Sequence, residues 1–376
     1  MKWLSFLLMA LVAQADVVPV EDVQHQTVYY EKGRFGGWPA NHGIWIWGNE
    51  ILVGFSKGFY KDLGPDRHHI DREAPELHFL ARSLDGGESW KITDPGLNGD
   101  LIPEGGFLHG VERKDVPIPS LKESPGGIRF THPDFAMTLR TDNIDAGTGR
   151  FWYSYDRGHD WEGPFRLPHF GFPGTAFRTD YIVEGNQRCT AFTTVAKADG
   201  NEGQCVCIRT VDGGETWIRV GNIGPEPTGF TIMPSSVKLD EDSYYVAVRN
   251  REEDRRWIGA YRSDDQGKTW KAMPDPVEDC GEGNPPSLIR LKDGRLCLTY
   301  GHRAEPFSIR ARLSEDQGRT WGPVLVLRDD GENRDIGYCR SVQRPDGKVV
   351  TLYYITDPKN GPERSIVSTI WMPPMP

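Results

Sequence analysis

Beyond the segment 3–12, the sequence of 376 residues has no long hydrophobic run, and it also lacks long segments of helical periodicity. Without a longer apolar stretch, no membrane span is expected. Without helical periodicity, the moderate apolar content and the 43 glycines and 12 tryptophans favour an all-β chain of short strands joined by turns. The formal net charge of -10 argues against a broadly basic surface, so nucleic acid is not an expected partner.

Cysteine is scarce, and its spacing matches no zinc-binding pattern. The six cysteines are at positions 189, 205, 207, 280, 297 and 339. We expect mostly buried thiols, with one disulfide left open as a possibility, and no metal site.

The N-terminus has the pattern of a secretory signal peptide. Met1-Lys2 is a short basic start, Trp3 to Val12 is apolar, and Ala13-Gln14-Ala15 has the small-x-small form of a cleavage site. We therefore expect cleavage after Ala15, so that residues 1–15 are removed, and export to a periplasm or to the medium.

An eight-residue pattern, Ser/Thr-x-Asp-x-Gly-x-Ser/Thr-Trp, occurs five times. The copies are Ser83 to Trp90, Ser154 to Trp161, Thr210 to Trp217, Ser263 to Trp270 and Ser314 to Trp321. Asp160 replaces the second hydroxyl in one copy. Because the Asp can accept backbone hydrogen bonds and the Gly allows a positive φ, each copy predicts a structural turn. Successive tryptophans are 71, 56, 53 and 51 residues apart, close to the length of a four-stranded propeller blade.

These copies resemble the Asp-boxes, or BNR repeats, of the sialidase superfamily, which lie between the third and fourth strands of propeller blades. The resemblance implies an all-β, sialidase-like β-propeller. A strand-turn-strand pattern recurs six times, which predicts six blades, and the 71-residue gap leaves room for a seventh. Since a propeller buries its core between blades, residues 16–376 are predicted to form one domain. The segment Thr27 to Tyr30 is expected to close the ring by pairing with C-terminal strands.

Polar residues at the starts of the inner strands are predicted to meet in one cavity at the propeller axis. They are Asn41, His42, His132, Asp134, Arg178, Asp180, Tyr181, Asn284, Tyr338 and Arg340. Arginines suit a carboxylate, and a His or an acid can transfer a proton, so the set indicates an enzyme for anionic sugars. His302, after another strand, would line the cavity or face water. His68 and His69 lie in a charged loop, which favours solvated side chains over a metal site.

The resemblance to sialidases is incomplete at the sugar carboxylate. Trp38-Pro39 stands where sialidases have Arg-Ile-Pro, and Tyr353-Tyr354 stands where they have a Tyr-Glu pair that supports the missing arginine. Three other positions match the family: Tyr338 resembles the nucleophile, Arg249 a second carboxylate-binding arginine, and Asp71 the acid.

Two other propeller families account for these departures. The segment from Trp38 to Gly43 resembles secreted α-L-rhamnosidases that remove rhamnose from glucuronic acid, and His42 would match their catalytic histidine. Ulvan-type polysaccharide lyases use two histidines and a later tyrosine. His109, His132 and Tyr181 have a similar order and spacing, and Arg178 would neutralise a uronate.

We therefore predict a glycoside hydrolase for a polysaccharide that contains uronic acid or deoxysugar. The alternatives are a uronate lyase, an exo-α-sialidase and a non-catalytic glycan-binding propeller. In a hydrolase the histidine transfers a proton while water attacks, whereas in a lyase a base removes the proton next to a neutralised carboxylate. Neither reaction needs an organic cofactor. The expected partner is an oligo- or polysaccharide, and the oligomeric state is left open.

Overall fold

The computed structural model describes residues 17–65 and 67–376, which form six β-sheets arranged as the blades of a β-propeller. The predicted signal peptide lies outside the described residues. The described part of the chain contains no α-helix, only two short 3-10 helices, Pro39–Asn41 and Pro95–Asn98. Neither of these helices has the length or the apolar character to cross a membrane.

The strands follow the chain from blade to blade. Two strands precede the blades: β1 (Val17–Pro19) and β2 (Gln24–Tyr29). Blade I contains β3 (Arg34–Gly37), β4 (Ile44–Trp47), β5 (Glu50–Phe59), β6 (Leu77–Ser83) and β7 (Lys91–Thr93). Blade II contains β8 (Ala136–Thr141), β9 (Gly149–Ser154) and β10 (Glu162–Arg166). Blade III contains β11 (Thr175–Ala176), β12 (Tyr181–Val183), β13 (Cys189–Ala196), β14 (Glu202–Thr210) and β15 (Ile218–Asn222).

The other three blades are more regular. Blade IV contains β16 (Phe230–Lys238), β17 (Tyr244–Glu252), β18 (Arg255–Ser263) and β19 (Lys271–Val277). Blade V contains β20 (Ser287–Arg290), β21 (Leu296–His302), β22 (Ser308–Ser314) and β23 (Val324–Arg328). Blade VI contains β24 (Gly337–Gln343), β25 (Val349–Thr356) and β26 (Arg364–Trp371).

The two ends of the chain close the ring. Strand β2 pairs antiparallel with β26, from Gln24 opposite Ile370 to Tyr29 opposite Ile366. The prediction that the segment Thr27 to Tyr30 closes the propeller is therefore confirmed. Strand β1 adds a parallel edge to β23 of blade V.

The count of six blades is confirmed, and the 71-residue gap holds no seventh blade. Residues 99–135 contain no strand, only isolated bridges and turns. Blade II has three strands in the order β10-β9-β8. Strand β8 lies against the chain just before β4 and just before β12, because the Thr138 hydroxyl is 3.1 Å from the His42 carbonyl and 3.0 Å from the Thr179 hydroxyl.

The Asp-boxes form the predicted turns. In the fourth copy the Asp265 carboxylate accepts hydrogen bonds from the Ser263 hydroxyl at 2.8 Å, from the Thr269 amide at 2.9 Å and from the Thr269 hydroxyl at 2.6 Å. Gly267 has φ +86°, and the Trp270 indole donates to its carbonyl at 3.0 Å. The Asp265 carboxylate forms its hydrogen bonds within the turn, which agrees with a structural role.

Each Asp-box tryptophan also packs against the preceding blade. Trp161 of blade II lies 5.7 Å from Trp45 of blade I, measured between ring centroids. Trp321 of blade V contacts Tyr245 of blade IV in the same way, at 6.3 Å. The repeat thus joins each blade to its neighbour, which explains why it recurs at blade spacing.

All six cysteines are buried and free, so the disulfide left open by the sequence is not formed.

The five Asp-box turns define one face of the ring, here called the Asp-box face, and the opposite face is called the upper face. In blade III the inner chain runs towards the Asp-box face, because Val183 pairs with Cys189, which pairs with Thr210 at the start of an Asp-box. In blade II the inner strand runs the other way, since its first residue, Ala136, pairs with Ser154 at the start of an Asp-box.

Candidate active site

The upper face carries a cavity of two adjoining chambers. The large chamber has a volume of about 480 Å³ and the small chamber about 150 Å³. Arg249 and Tyr338 border both chambers. The walls come from the loop between β5 and β6, the hairpin between β17 and β18, and the first residues of β24.

A histidine and an aspartate form a hydrogen-bonded pair in the large chamber. His68 Nδ1 lies 2.6 Å from Asp335 Oδ1, and Arg364 Nε donates to Asp335 Oδ2 at 3.1 Å. Burial is the main cause that lowers the pKa of His68 below 6.5, and the charge of Arg303 adds to it, while Asp335 opposes it. A neutral His68 that donates from Nδ1 leaves the Nε2 lone pair free to accept a proton.

The Asp335 carboxylate is ionised even though it is buried. Burial disfavours its charge, but the hydrogen bond from His68 and the charges of Arg364 and Arg303 hold its pKa well below the usual value. The Tyr354 hydroxyl donates to the same Oδ1 atom. Asp335 therefore fixes the orientation of the His68 ring.

Two arginines flank the hydroxyl and the ring of Tyr338. Arg249 Nη1 donates to the Tyr338 hydroxyl at 3.3 Å. The Arg303 guanidinium lies 5.3 Å from the centre of the Tyr338 ring and donates to the Tyr354 hydroxyl at 2.7 Å. Tyr338 has φ +52°, and its amide donates to Asn284 Oδ1 at 2.9 Å. This contact holds a conformation that L-residues rarely adopt.

The small chamber combines an aromatic wall with an ion pair. The rings of Trp38 and His109 stack with centroids 4.0 Å apart. On the other side Arg178 forms an ion pair with Glu202 and donates to Asn41 Oδ1 at 3.2 Å. Burial raises the pKa of Glu202 despite the charge of Arg178. Flat aromatic surface beside charged groups suits a sugar ring with polar substituents.

A buried polar network lies beneath the cavity. Arg140 Nη1 donates to His42 Nδ1 at 2.9 Å and also to His78 Nδ1. Both histidines therefore carry their proton on Nε2, and the Nε2 of His42 lies 3.0 Å from the Ser56 hydroxyl. Burial, followed by the charge of Arg140, holds the pKa of both histidines well below 6.5. Burial also lowers the pKa of Arg140 to about 9, which leaves it cationic at neutral pH.

Glu76 connects this network to the aromatic wall. Its Oε2 accepts a 2.5 Å hydrogen bond from the His109 amide, and the His109 Nδ1 is 3.5 Å away. Burial opposes ionisation of Glu76, but the hydrogen bond and charge of His109, with His78, bring its pKa down to about 2. Glu76 thus fixes His109 where it stacks on Trp38.

The structure brings together part of the site predicted from the sequence. Six predicted residues line the chambers on the upper face: Trp38, Asn41, His109, Arg178, Arg249 and Tyr338. Three others line a separate cavity of about 360 Å³ towards the Asp-box face: Asp180, Tyr181 and Arg340. The two cavities share no lining residue, so the expectation of one common cavity is wrong for these three. Each inner strand runs through the ring from one face to the other, so residues at its two ends border different cavities.

His132 and Asp134 lie on the Asp-box face, so their predicted convergence at the axis is wrong. The His132 ring packs 4.9 Å from Tyr155, and Asp134 Oδ1 accepts from Arg157 Nε, inside the second Asp-box, at 2.6 Å. The physical reason is the direction of β8. It is the second strand of a blade without a regular first strand, so the residues before it start from the opposite face.

Four further predicted residues do not line either upper chamber. His42 is fully buried in the network described above. Asp71 is turned to the surface, where its carboxylate accepts from Lys61 and from the Glu73 amide, both at 3.1 Å. Asn284 is fully buried and holds Tyr338 from below. His302 is buried at the end of β21, where burial and then the charge of Arg310 lower its pKa to about 4.

The sequence analysis did not place Asp335, Arg303 or Glu202 in the site. It interpreted His68 as a solvated loop residue, which is wrong because His68 pairs with Asp335 in the large chamber. His302 and Arg303 are consecutive residues of an extended segment, so their side chains point to opposite sides. The strand pattern alone does not tell which of the two side chains lines the cavity. His68 lies in a loop, and Asp335 is 267 residues away from it. Nothing in the local sequence joins those two. Among the described residues, no three His, Cys, Asp or Glu side chains are grouped to hold a metal ion.

Fold and cavity together define a six-bladed β-propeller with a polar site on its upper face. A family model described as a BNR repeat-like domain matches residues 138–351, and the chain belongs to this family. No curated protein sequence is significantly similar to the chain.

Solved structures share the fold at low sequence identity. A protein of unknown function from Dyadobacter fermentans matches with a TM-score of 0.67 and 19% identity, over 93% of this chain and 99% of that chain. The NanB sialidase of Streptococcus pneumoniae matches with a TM-score of 0.60 and 11% identity, over 92% of this chain and 70% of that chain. The α-L-arabinofuranosidase Arb93A of Fusarium graminearum matches with a TM-score of 0.54 and 12% identity, over 90% of this chain and 97% of that chain. The predicted sialidase-like β-propeller is therefore confirmed.

Proposed function

We propose that the protein is an exported glycoside hydrolase that cleaves a bond next to an acidic sugar in the chambers of the upper face. The observation that carries the proposal is the position of Tyr338 between Arg249 and Arg303, in a cavity that also contains the His68–Asp335 pair. Two solved structures of similar fold bear the names of glycosidases, a sialidase and an arabinofuranosidase, which supports carbohydrate chemistry.

Each of these residues has a role in the proposed reaction. Arg249 and Arg303 bind the carboxylate of the sugar, since guanidinium groups form charge-assisted hydrogen bonds with carboxylates. His68 accepts through Nε2 the proton of the attacking Tyr338 hydroxyl, while Asp335 holds its ring. The leaving glycosidic oxygen takes a proton from solvent, and water then releases the sugar from Tyr338. Tyr338 supplies a hydroxyl beside the anionic sugar. A tyrosine nucleophile avoids the repulsion that a second carboxylate would meet there, as sialidases illustrate.

A uronate lyase is the second candidate, because the same residues satisfy its chemistry. Arg249 and Arg303 would neutralise the uronate, His68 would remove the adjacent proton, and Tyr338 would protonate the leaving oxygen. The neutral, oriented His68 favours this candidate. The rhamnosidase-like role of His42 has less support, since its ring is enclosed by Arg140 and Ser56.

Product analysis tests the proposal. The purified protein is incubated with ulvan, gum arabic and sialyl-lactose, and the products are identified by mass spectrometry and ultraviolet absorbance. Hydrolysis adds one water to each cleaved bond, whereas elimination adds none and creates an absorbing conjugated double bond. We expect saturated products with an acidic sugar at the cleaved bond. Binding without cleavage of any acidic glycan would contradict the proposal and indicate a glycan-binding propeller.

A further inference from the structure

The large chamber is strongly cationic in a protein whose net charge is -10. Two carboxylates line it, those of Glu282 and Asp335. Seven arginines line it: Arg67, Arg72, Arg249, Arg251, Arg256, Arg303 and Arg334. This excess of positive charge concentrates at one cavity, and such clefts attract anions.

The hairpin between β17 and β18 places two of these arginines directly opposite each other. Arg251 and Arg256 are cross-strand partners in the register of this hairpin. Like charges in that arrangement destabilise a sheet. Neither guanidinium forms an ion pair with a described residue, and Arg256 donates to the Glu253 carbonyl at 3.0 Å. An anion between the two would remove their repulsion.

Arg255, in the same hairpin, shows the contrast. Its guanidinium pairs with Asp275 at 2.7 Å and lies 4.2 Å from the centre of the Trp257 ring. It does not line the chamber. The hairpin contains five arginines. The two that do not line the chamber, Arg255 and Arg262, each pair with a carboxylate, and the other three form no ion pair with a described residue.

The spacing along β17 separates this charge from the site of the reaction. Arg249 and Arg251 are two residues apart on one strand, so they lie on the same face, roughly 7 Å from each other. One carboxylate, bound by a single fork of hydrogen bonds, does not span that distance. The pair at Arg251 and Arg256 therefore forms a second anion site beside the first.

We infer that the substrate is a polyanionic glycan, and that Arg251 and Arg256 bind an anionic group on the sugar next to the one held by Arg249 and Arg303. The inference deepens the proposed function and rests on it for the identity of the first subsite. The exposed Arg72 lies on the same chamber wall and adds to the attraction. The second group is a sulfate ester or another uronate carboxylate, which share the chemistry that arginine recognises.

Binding measurements test the inference without relying on turnover. Isothermal titration calorimetry compares three probes: dextran sulfate oligosaccharide, oligogalacturonate and uncharged dextran oligosaccharide. The test variant combines Arg251→Gln with Arg256→Gln. The control combines Arg255→Gln with Arg262→Gln, which changes the net charge equally at residues paired with Asp275 and Asp264. Circular dichroism and thermal melting confirm that both variants are folded.

The wild type is expected to bind the anionic probes and not the uncharged dextran, with affinity that falls as salt increases. The test variant should bind about tenfold more weakly, since each charge-assisted hydrogen bond contributes substantially to affinity. The control should stay within about twofold of the wild type, because neither Arg255 nor Arg262 lines the chamber. The stronger of the two anionic probes identifies sulfate or carboxylate as the second group.

Two results would overturn the inference: salt-independent or absent binding of both anionic probes by the wild type, or equal affinity in the test variant and the wild type. Failure of the proposed function looks different. In that case the wild type cleaves no glycan, while its binding still depends on Arg251 and Arg256.

Discussion

His68 Nδ1 and Asp335 Oδ1 lie 2.6 Å apart, although the two residues are separated by 267 positions in the chain. The loop between β5 and β6 carries the histidine, and the chain just before β24 carries the aspartate. No described residue forms a hydrogen bond with His68 Nε2, and His68 lines the large chamber. This arrangement is that of an oriented base.

Replacing His68 with Gln should lower kcat/KM by about 10²- to 10⁴-fold, because the proton acceptor is lost. The variant should melt near the wild-type temperature, since His68 is partly exposed. Steady-state kinetics on the cleaved substrate measure the effect. His69→Gln is the matched control, because His69 bonds to the Gly64 carbonyl and does not line the chamber. Equal losses in both variants would contradict the role of His68.

The pH dependence of kcat/KM should show an acidic limb below pH 6.5. Burial lowers the pKa of His68, so its neutral, proton-accepting form persists to more acidic pH than in a free histidine. Asp335 raises that pKa, and Asp335→Asn should therefore move the limb to still lower pH while reducing the rate. A shift of the acidic limb to higher pH in Asp335→Asn would contradict the assignment of this limb to His68.

Replacing Tyr338 with Phe should reduce kcat by about 10²-fold or more, because the hydroxyl beside Arg249 is removed while the ring remains. The controls are Tyr155→Phe and His132→Ala, on the Asp-box face. Both should retain the wild-type kcat/KM in the same assay. Loss of activity in His132→Ala with unchanged stability would show that the Asp-box face takes part in the reaction.

His42→Gln should destabilise the fold by about 3 kcal/mol at neutral pH, since Arg140 loses a buried partner. The pKa of His42 is lowered on folding, so its contribution to stability is present above about pH 6.5 and is lost as the pH falls. The gap in unfolding free energy between wild type and variant should narrow on acidification. Urea denaturation at pH 7.5 and 5.5 measures it, and a gap that widens would contradict the buried neutral histidine.

Asp265→Asn should lower the free energy of unfolding by about 1–3 kcal/mol, because hydrogen bonds to the carboxylate of the Asp-box turn are weakened. Activity at low temperature should not change, since the turn lies on the face opposite the chambers. Asp329→Asn is the control, because Asp329 is exposed and accepts no hydrogen bond in the described structure. Equal melting temperatures for both variants would show that the Asp-box carboxylate is dispensable.

The exclusion of His132 from the site shows the limit of strand-based prediction. The segment before β8 has the same strand pattern as the segments before other inner strands. Its direction depends on the missing first strand of blade II, and that loss is not visible in local periodicity. Arg178 and Tyr338, which the strand pattern placed at the starts of inner strands, line the upper chambers. Arg249, which was assigned through resemblance, lines them as well.

The sequence by itself determined the repeating turns and predicted six blades, because each turn and each blade depends on hydrogen bonds and packing within about 50 to 70 residues. Only the tertiary structure decided which polar residues share a cavity. His68 and Asp335 meet because blades I and VI are neighbours in a closed ring, a relationship set by the pairing of β2 with β26. Tyr338 and Tyr181 line different cavities because they lie at different distances from the upper face along their inner strands. Position in the sequence alone does not give that distance.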